Sequence, residues 1–209
     1  MRLAFVGKGG SGKTTLASLF SQYAAKNNSH VLALDADINQ HLASALGYTG
    51  ELKSMGEDID AIKEYLRGDN PLFTLSSMHK TTPPGSGSHF VTLDEADWFM
   101  DRYTAEVDGM SVAGAGAIPS GNVGVRCYHG LNGAIELLLG HMIDRAEDTV
   151  VVDMTAGADA FSSSLFTKVD ALVLVVEPTQ KSIGVYHQFI EHARKYDIPL
   201  VIIANKIQD

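Results

Sequence analysis

Contiguous apolar runs alternate along the chain with stretches of helical spacing. LAFV (3–6), HVLALDAD (30–37), GMSVAGAG (109–116), TVVVDM (149–154), ALVLVVEP (171–178) and PLVIIANK (199–206) read as strands. Several lack the polar alternation of a half-exposed sheet, which marks parallel strands covered on both faces. Between them, TTLASLFSQYAAK (14–26), NQHLASALG ending at Gly47, IDAIKEYLRG closed by Gly68, LNGAIELLLGHMIDRA (131–146), SSSLFTKV (162–169) and SIGVYHQFIEHARKY (182–196) read as helices. The alternation predicts an α/β fold with a doubly wound, mostly parallel sheet. Residues 71–128 break the rhythm as a loop-rich insertion in a single domain spanning 1–209. PLFTLSSMHKTTPPGSGSH (71–89), with its prolines and glycines, predicts an exposed, mobile loop. TLDEADWFMDRY (92–103) predicts a helix capped by Thr92, with Glu95 completing a capping box.

The first strand and first helix are joined by GKGGSGKTT (7–15). Gly7, Gly12, Lys13 and Thr14 fit G-x-x-x-x-G-K-[ST] in the strand-then-helix context that phosphate binding needs, so the sheet is expected to be of the P-loop NTPase type. Gly7, Gly9, Gly10 and Gly12 let the backbone curl, and with Ser11 and Thr15 they turn N–H groups toward an anion at the positive end of the helix. Lys13 is expected to reach the β- and γ-phosphates of ATP, and the Thr14 hydroxyl to ligate Mg²⁺. Asp35 and Asp37 end the second strand, where alternation sets both carboxylates on one side near the phosphates. Asp153, after three valines, is placed to hold Mg²⁺ through water, and Gly157 to offer its N–H to a γ-phosphate. Asn205 at the end of the last strand can hydrogen-bond adenine in both directions and is expected to contact the base, although it also fits an ordinary loop asparagine.

A second lysine, Lys8, begins the loop, where folding back onto phosphates served by Lys13 is awkward but reaching across a two-fold interface is not. KGGSGKT resembles the deviant Walker A signature, KGGxGK[ST], of the dimerising ATPases. These include the nitrogenase iron protein, the arsenite-transport, tail-anchored-protein-targeting, division-site and chromosome-partitioning ATPases, and the nickel-insertion ATPases of carbon monoxide dehydrogenase. The resemblance implies a nitrogenase iron protein-like fold, Mg-dependent hydrolysis of ATP to ADP, and a homodimer closed by ATP in which Lys8 contacts the partner's phosphates. Lys8, Lys13 and Asp37 would then be the catalytic group. DADIN resembles the family's switch I, with Ile38 where proline is common; Asp37 matches its water-activating aspartate, and Asp35 lies near the Mg²⁺ shell. DMTAG resembles switch II, carrying Asp153 and Gly157.

DGMSVAGAGAIPSGNVGVRCYHGLNGAIELLLGHMI, VVVDMTAG and VVEPTQKSI are similar to the nickel-insertion ATPases. Those proteins carry a Cys-x-Cys before a Pro-x-Asn and a helix; by register with Asn132 the positions here are Cys127 and His129. The spacing keeps both on one side of an extended segment, and a two-fold axis would assemble a Cys₂His₂ site suited to Zn²⁺, Ni²⁺ or copper. One thiolate per subunit is lost relative to the family, and ADAFSSS replaces its Glu-His-containing segment. Taken alone, Cys127 also fits a small buried hydrophobe and His129 a polar residue at a helix start.

Composition narrows the partners. With 45% hydrophobic and 20% charged residues the chain is of ordinary globular type, and a net charge of −9 argues against nucleic acid. No apolar run approaches the ~20 residues of a bilayer span. The single cysteine excludes an internal disulfide and MRLAFVGKGG enters a strand directly, so a cytoplasmic setting is expected. The expected function is a dimeric ATPase maturing a metallocentre in an apo-metalloenzyme client. The alternative is a positioning or regulatory ATPase of the division-site or partitioning type, acting on a protein or membrane. A metabolic P-loop kinase is more distant, because Lys8 disfavours it.

Overall fold

A computed structural model describes residues 1–27, 29–93, 96–117 and 128–208, with only the backbone for 128, 129, 158 and 159. Seven strands among these residues form one sheet: β1 (Arg2–Gly7), β2 (His30–Ala36), β3 (Ala105–Val107), β4 (Met110–Gly114), β5 (Asp148–Met154), β6 (Ala171–Val176) and β7 (Leu200–Ala204). Their order is β3-β4-β2-β5-β1-β6-β7, and every pairing is parallel except that of β3 with β4. The helices are α1 (Lys13–Lys26), α2 (Leu42–Ala45), α3 (Ile59–Arg67), α4 (Trp98–Tyr103), α5 (Tyr128–Leu131), α6 (Gly133–His141) and α7 (Gln180–Tyr196).

The apolar runs become central strands because both faces are covered. In β5, Val150 and Val152 join one core with Ile62 of α3, Phe99 of α4, Ile135 and Leu138 of α6 and Phe189 of α7. Val151, pointing the other way, joins Phe5, Ala17 of α1 and Leu42 of α2. Each fully buried valine contributes about 1.5–3 kcal/mol, so the polar residues ending these strands are held on a stiff frame.

β1 lies between β5 and β6, and the chain leaves it by α1 for β2, beyond β5. Its carboxyl end is therefore the place where successive connections depart to opposite sides, the usual crevice of an open α/β sheet. Register brings Phe5 and Asp35 each opposite Asp153, and Gly7 opposite Val175, so the predicted site residues gather at one edge.

Three expectations are corrected. The helix at 98–103 is capped by Asp97, not Thr92: the Asp97 carboxylate accepts the Phe99 N–H at 2.8 Å, and a short carboxylate directly before the first turn is better placed than a threonine five residues earlier. Glu95 lies outside the described residues. The segment 71–89 is mostly exposed but is anchored, with Met78 and Thr82 buried and Lys80 bound to buried Glu136 at 2.9 Å. Its prolines and glycines shape turns, and they say nothing about what the side chains between them bury. Finally, β3 was not expected. It forms with β4 a hairpin whose two loop residues, Asp108 and Gly109, both have positive φ (48° and 75°), and that Asp-Gly pair was the readable signal.

Candidate phosphate-binding site

The turn from β1 into α1 works only with glycine at two points. A Cβ on Gly7 would strike the Val175 carbonyl of β6, and Gly12, at φ 102°, would drive one into the Asn205 amide. These close approaches tie the loop to its neighbours. α1 carries no acidic residue in its first turn, so its positive end is left for an anion. Above it opens a cleft of about 360 Å³ whose lining includes Gly10, Lys13, Thr14, Asp37, His41 and Lys206.

Lys13 is buried, and among the described residues its ammonium has only the Lys8 carbonyl at 3.5 Å as a hydrogen-bond acceptor. Burial lowers its pKa, against the raising influence of Asp153 and Asp37. A buried cation so thinly partnered favours an anionic ligand. Thr14 Oγ1 donates to Asp153 Oδ2 at 2.5 Å, while Asp153 Oδ1 is buried with no hydrogen-bond partner among the described residues. Burial raises the Asp153 carboxyl to about 6, with the Thr14 hydroxyl and Lys13 opposing. A hydroxyl and a carboxylate in contact, with one carboxylate oxygen to spare, form a hard oxygen donor set that fits Mg²⁺.

The two aspartates expected at the end of β2 part company. Asp37 lies past the end of β2 on the cleft, its Oδ1 accepting the Asn39 backbone and side-chain N–H groups at 2.9 and 2.8 Å. Asp35 is buried, its Oδ1 accepting the Asp37 N–H at 3.0 Å and its Oδ2 the Leu42 N–H at 2.8 Å. Alternation suggested one side for both, but the chain leaves the strand after Ala36, and the Asp35 carboxylate anchors the returning loop at the start of α2. Burial raises Asp35 to about 7 despite the opposing Leu42 N–H.

Gly157 follows β5 at φ 77°, opening a 3₁₀ turn (Gly157–Ser162), with open space where a Cβ would stand. The Asn205 amide donates to the Ser11 carbonyl at 2.8 Å, so it braces the phosphate loop. Lys8 extends to Glu177, 2.8 Å from Oε1. Glu177 and Lys206 were not singled out from the sequence; both belong to loops that adjoin β1 only once β6 and β7 stack beside it. Cys127 lies outside the described residues, and for His129 only its backbone, in α5, is described. Among the described residues no three His, Cys, Asp or Glu side chains cluster as a metal site. Asn132, the register mark for that pair, donates its amide to the Ala36 carbonyl at 3.2 Å, joining the start of α6 to β2. No described helix is long and apolar enough to cross a membrane.

Comparison with known proteins agrees with this geometry. The family model described as the CobQ/CobB/MinD/ParA nucleotide binding domain matches residues 3–208. An uncharacterized ATP-binding protein of Methanocaldococcus jannaschii is 28% identical over 211 residues, covering 100% of this chain and 76% of its own length. The carbon monoxide dehydrogenase accessory protein CooC of Rhodospirillum rubrum is 29% identical over 209 residues, covering 99% and 74%. Among solved structures, the MinC:MinD cell division complex of Aquifex aeolicus has a TM-score of 0.61 at 20% identity, covering 99% of this chain and 69% of that one. A ParA family ATPase from Chlorobium tepidum has 0.61 at 17%, covering 98% and 73%. These structural likenesses concern the fold.

Proposed function

The chain belongs to the CobQ/CobB/MinD/ParA nucleotide-binding domain family, and from that premise we propose that it is a Mg-ATP-hydrolysing dimeric switch that serves the maturation of a metallocentre. The observation that carries the chemistry is the convergence of buried Lys13, the Thr14–Asp153 contact and Asp37 on one cleft. Lys13 and the α1 amides bind and orient the β- and γ-phosphates, and Thr14 with Asp153 would hold Mg²⁺. When bound there, Mg²⁺ supplies charge neutralisation across those phosphates. Asp37, held by Asn39 at the cleft edge, positions the attacking water, and Gly157, with open space where a Cβ would stand, would offer its N–H to the γ-phosphate. Lys8 is read as the group that crosses to a second subunit. Closure would complete the site, so hydrolysis by the protein alone is slow.

The maturation role is supported by the relation to CooC along nearly the whole chain, and Cys127 with His129 are the residues proposed to bind a transition metal. The test is solution mass with ADP and with Mg-ATP, together with bound nickel or zinc per subunit for the wild type and Cys127→Ala. An ATP-dependent dimer with about half a metal ion per subunit, lost in the variant, is the expected result. A dimer that binds no metal removes the maturation role and favours a protein partner. Failure to dimerise with Mg-ATP removes the switch.

A further inference from the structure

One carboxylate beside the phosphate loop has no part in the chemistry above. Glu177, in the turn between β6 and α7, is 7% exposed and takes a lysine on each oxygen. Lys8 Nζ lies 2.8 Å from Oε1 and Lys206 Nζ 3.1 Å from Oε2. The group is firmly set. Its N–H donates to Ser182 Oγ at 3.0 Å, its carbonyl accepts the Thr179 N–H at 2.7 Å, and Thr179 Oγ1, which caps α7, approaches Oε1 at 3.4 Å. Two ammoniums, Lys8 first, hold the Glu177 carboxyl below its ordinary range.

Two cations on one anion make an unequal pair. Lys206 also donates to the Gly10 carbonyl and so is tied to the phosphate loop, whereas among the described residues Lys8 otherwise reaches only the carbonyl of its neighbour Gly9, at 2.9 Å. If Lys8 departs, Glu177 keeps Lys206 and no buried carboxylate is left uncompensated, the outcome that makes breaking a buried pair costly. Lys8 is therefore the cation that can leave. A triphosphate offers it more negative charge than one carboxylate shared with another lysine.

We propose that Glu177 is a positioning residue that retains Lys8 within its own subunit and so sets how readily Lys8 passes to the phosphates bound by a second copy, with Lys206 the counter-ion that stays behind. This rests on the intersubunit reading of Lys8. The cis pair opposes closure in the absence of nucleotide and yields when a triphosphate on the other subunit outcompetes it.

The experiment compares the full chain with Glu177→Gln, Glu177→Asp and Lys206→Met by two measurements. The first is the acetylation rate of Lys8 by an activated acetate ester without nucleotide, read by peptide mass spectrometry. The second is the protein concentration at half-dimerisation with saturating Mg²⁺ and a non-hydrolysable ATP analogue. Glu177→Gln is expected to speed Lys8 acetylation and lower the dimer midpoint, each about two- to fivefold, the scale of a partly exposed ion pair. Lys206→Met, which leaves Lys8 as the sole counter-ion, moves both the opposite way. Glu177→Asp restores part of the wild-type behaviour. A merely structural Glu177 would not give shifts of opposite sign. Unchanged Lys8 acetylation in Glu177→Gln overturns the proposal, as do dimer midpoints moving in the same direction in both variants. If acetylation responds as expected but no variant dimerises, the intersubunit reading of Lys8 has failed and the hand-over falls with it.

Discussion

Asp35 and Asp153 stand opposite each other on neighbouring strands, both 1% exposed, both ending an apolar run, and both held well above the ordinary carboxylate range by burial. Their surroundings nevertheless give them different work. Asp35 spends both oxygens on backbone N–H groups of its own returning loop. Asp153 spends one on Thr14 of α1 and keeps the other without a partner among the described residues. The position at a strand end sets only burial and charge. The path of the following chain decides whether the carboxylate closes a loop or faces a ligand.

The difference is tested most sharply by hydrolysis. Asp153→Asn should lower kcat for Mg-ATP by about 10²–10³, the cost of losing one well-placed electrostatic contributor, whereas Asp35→Asn should lose less than tenfold, roughly 1.4 kcal/mol. Phosphate release at saturating ATP and Mg²⁺ measures both. Equal losses would place Asp35 in the chemistry and erase the distinction.

Thermal or urea unfolding without nucleotide should reverse the ranking. Asp35→Ala strands two N–H groups of the switch I loop, at about 1–3 kcal/mol for each left unsatisfied, partly offset by removal of a buried acid; a net loss of roughly 2 kcal/mol is expected. Asp153→Asn removes a buried charge whose second oxygen has no hydrogen-bond partner among the described residues, so it should leave the apo protein within about 1 kcal/mol of wild type or stabilise it. A large loss for Asp153→Asn would show that its contact with Thr14 holds the fold and not only the site.

The same contrast marks what was legible in the sequence. Six of the seven strands and the phosphate loop announce themselves locally, through apolar runs and through Gly7, Gly12, Lys13 and Thr14 at fixed spacing. The short β3 strand was legible too, through Asp108-Gly109, but three residues carry little periodicity. The hydrogen-bond partners of Asp35 and Asn205 were not readable, because alternation describes a strand and these partners lie past the strand's end or on a distant loop. Asn205 reaches Ser11 across 194 positions. Glu177 is separated from Lys8 by 169 positions and from Lys206 by 29, and only the sheet order β1-β6-β7 makes them neighbours. No local pattern encodes a carboxylate shared in that way. Met78 likewise enters the core from a segment whose composition signals only turns.

Per group and per half pH unit, the smallest expected effect lies in the pH dependence of stability. A carboxyl held at about 7 (Asp35) or about 6 (Asp153), against 3.8 when unfolded, binds its proton more tightly in the folded state. Its contribution to stability is therefore complete below about pH 4 and is lost as pH rises through those folded values, so the apo protein should lose stability from about pH 4 to 7. Each group contributes at most about 1.4 kcal/mol per pH unit in its own window. Asp35→Asn should remove its share from about pH 4 to 7 and leave the stretch between about 6 and 7 flat, whereas Asp153→Asn should about halve the slope between about pH 4 and 6 and leave the upper part unchanged. Saturating Mg-ADP sharpens the contrast: a divalent cation on Asp153 favours its ionised form, so that share of the slope should vanish while the Asp35 share persists, because both Asp35 oxygens already accept backbone N–H groups. Unfolding by urea at each half pH unit, with and without Mg-ADP, reads this directly. If Mg-ADP removed the Asp35 share instead, the loop that Asp35 ties down would have to reopen on binding, and switch I would be the more mobile of the two strand ends.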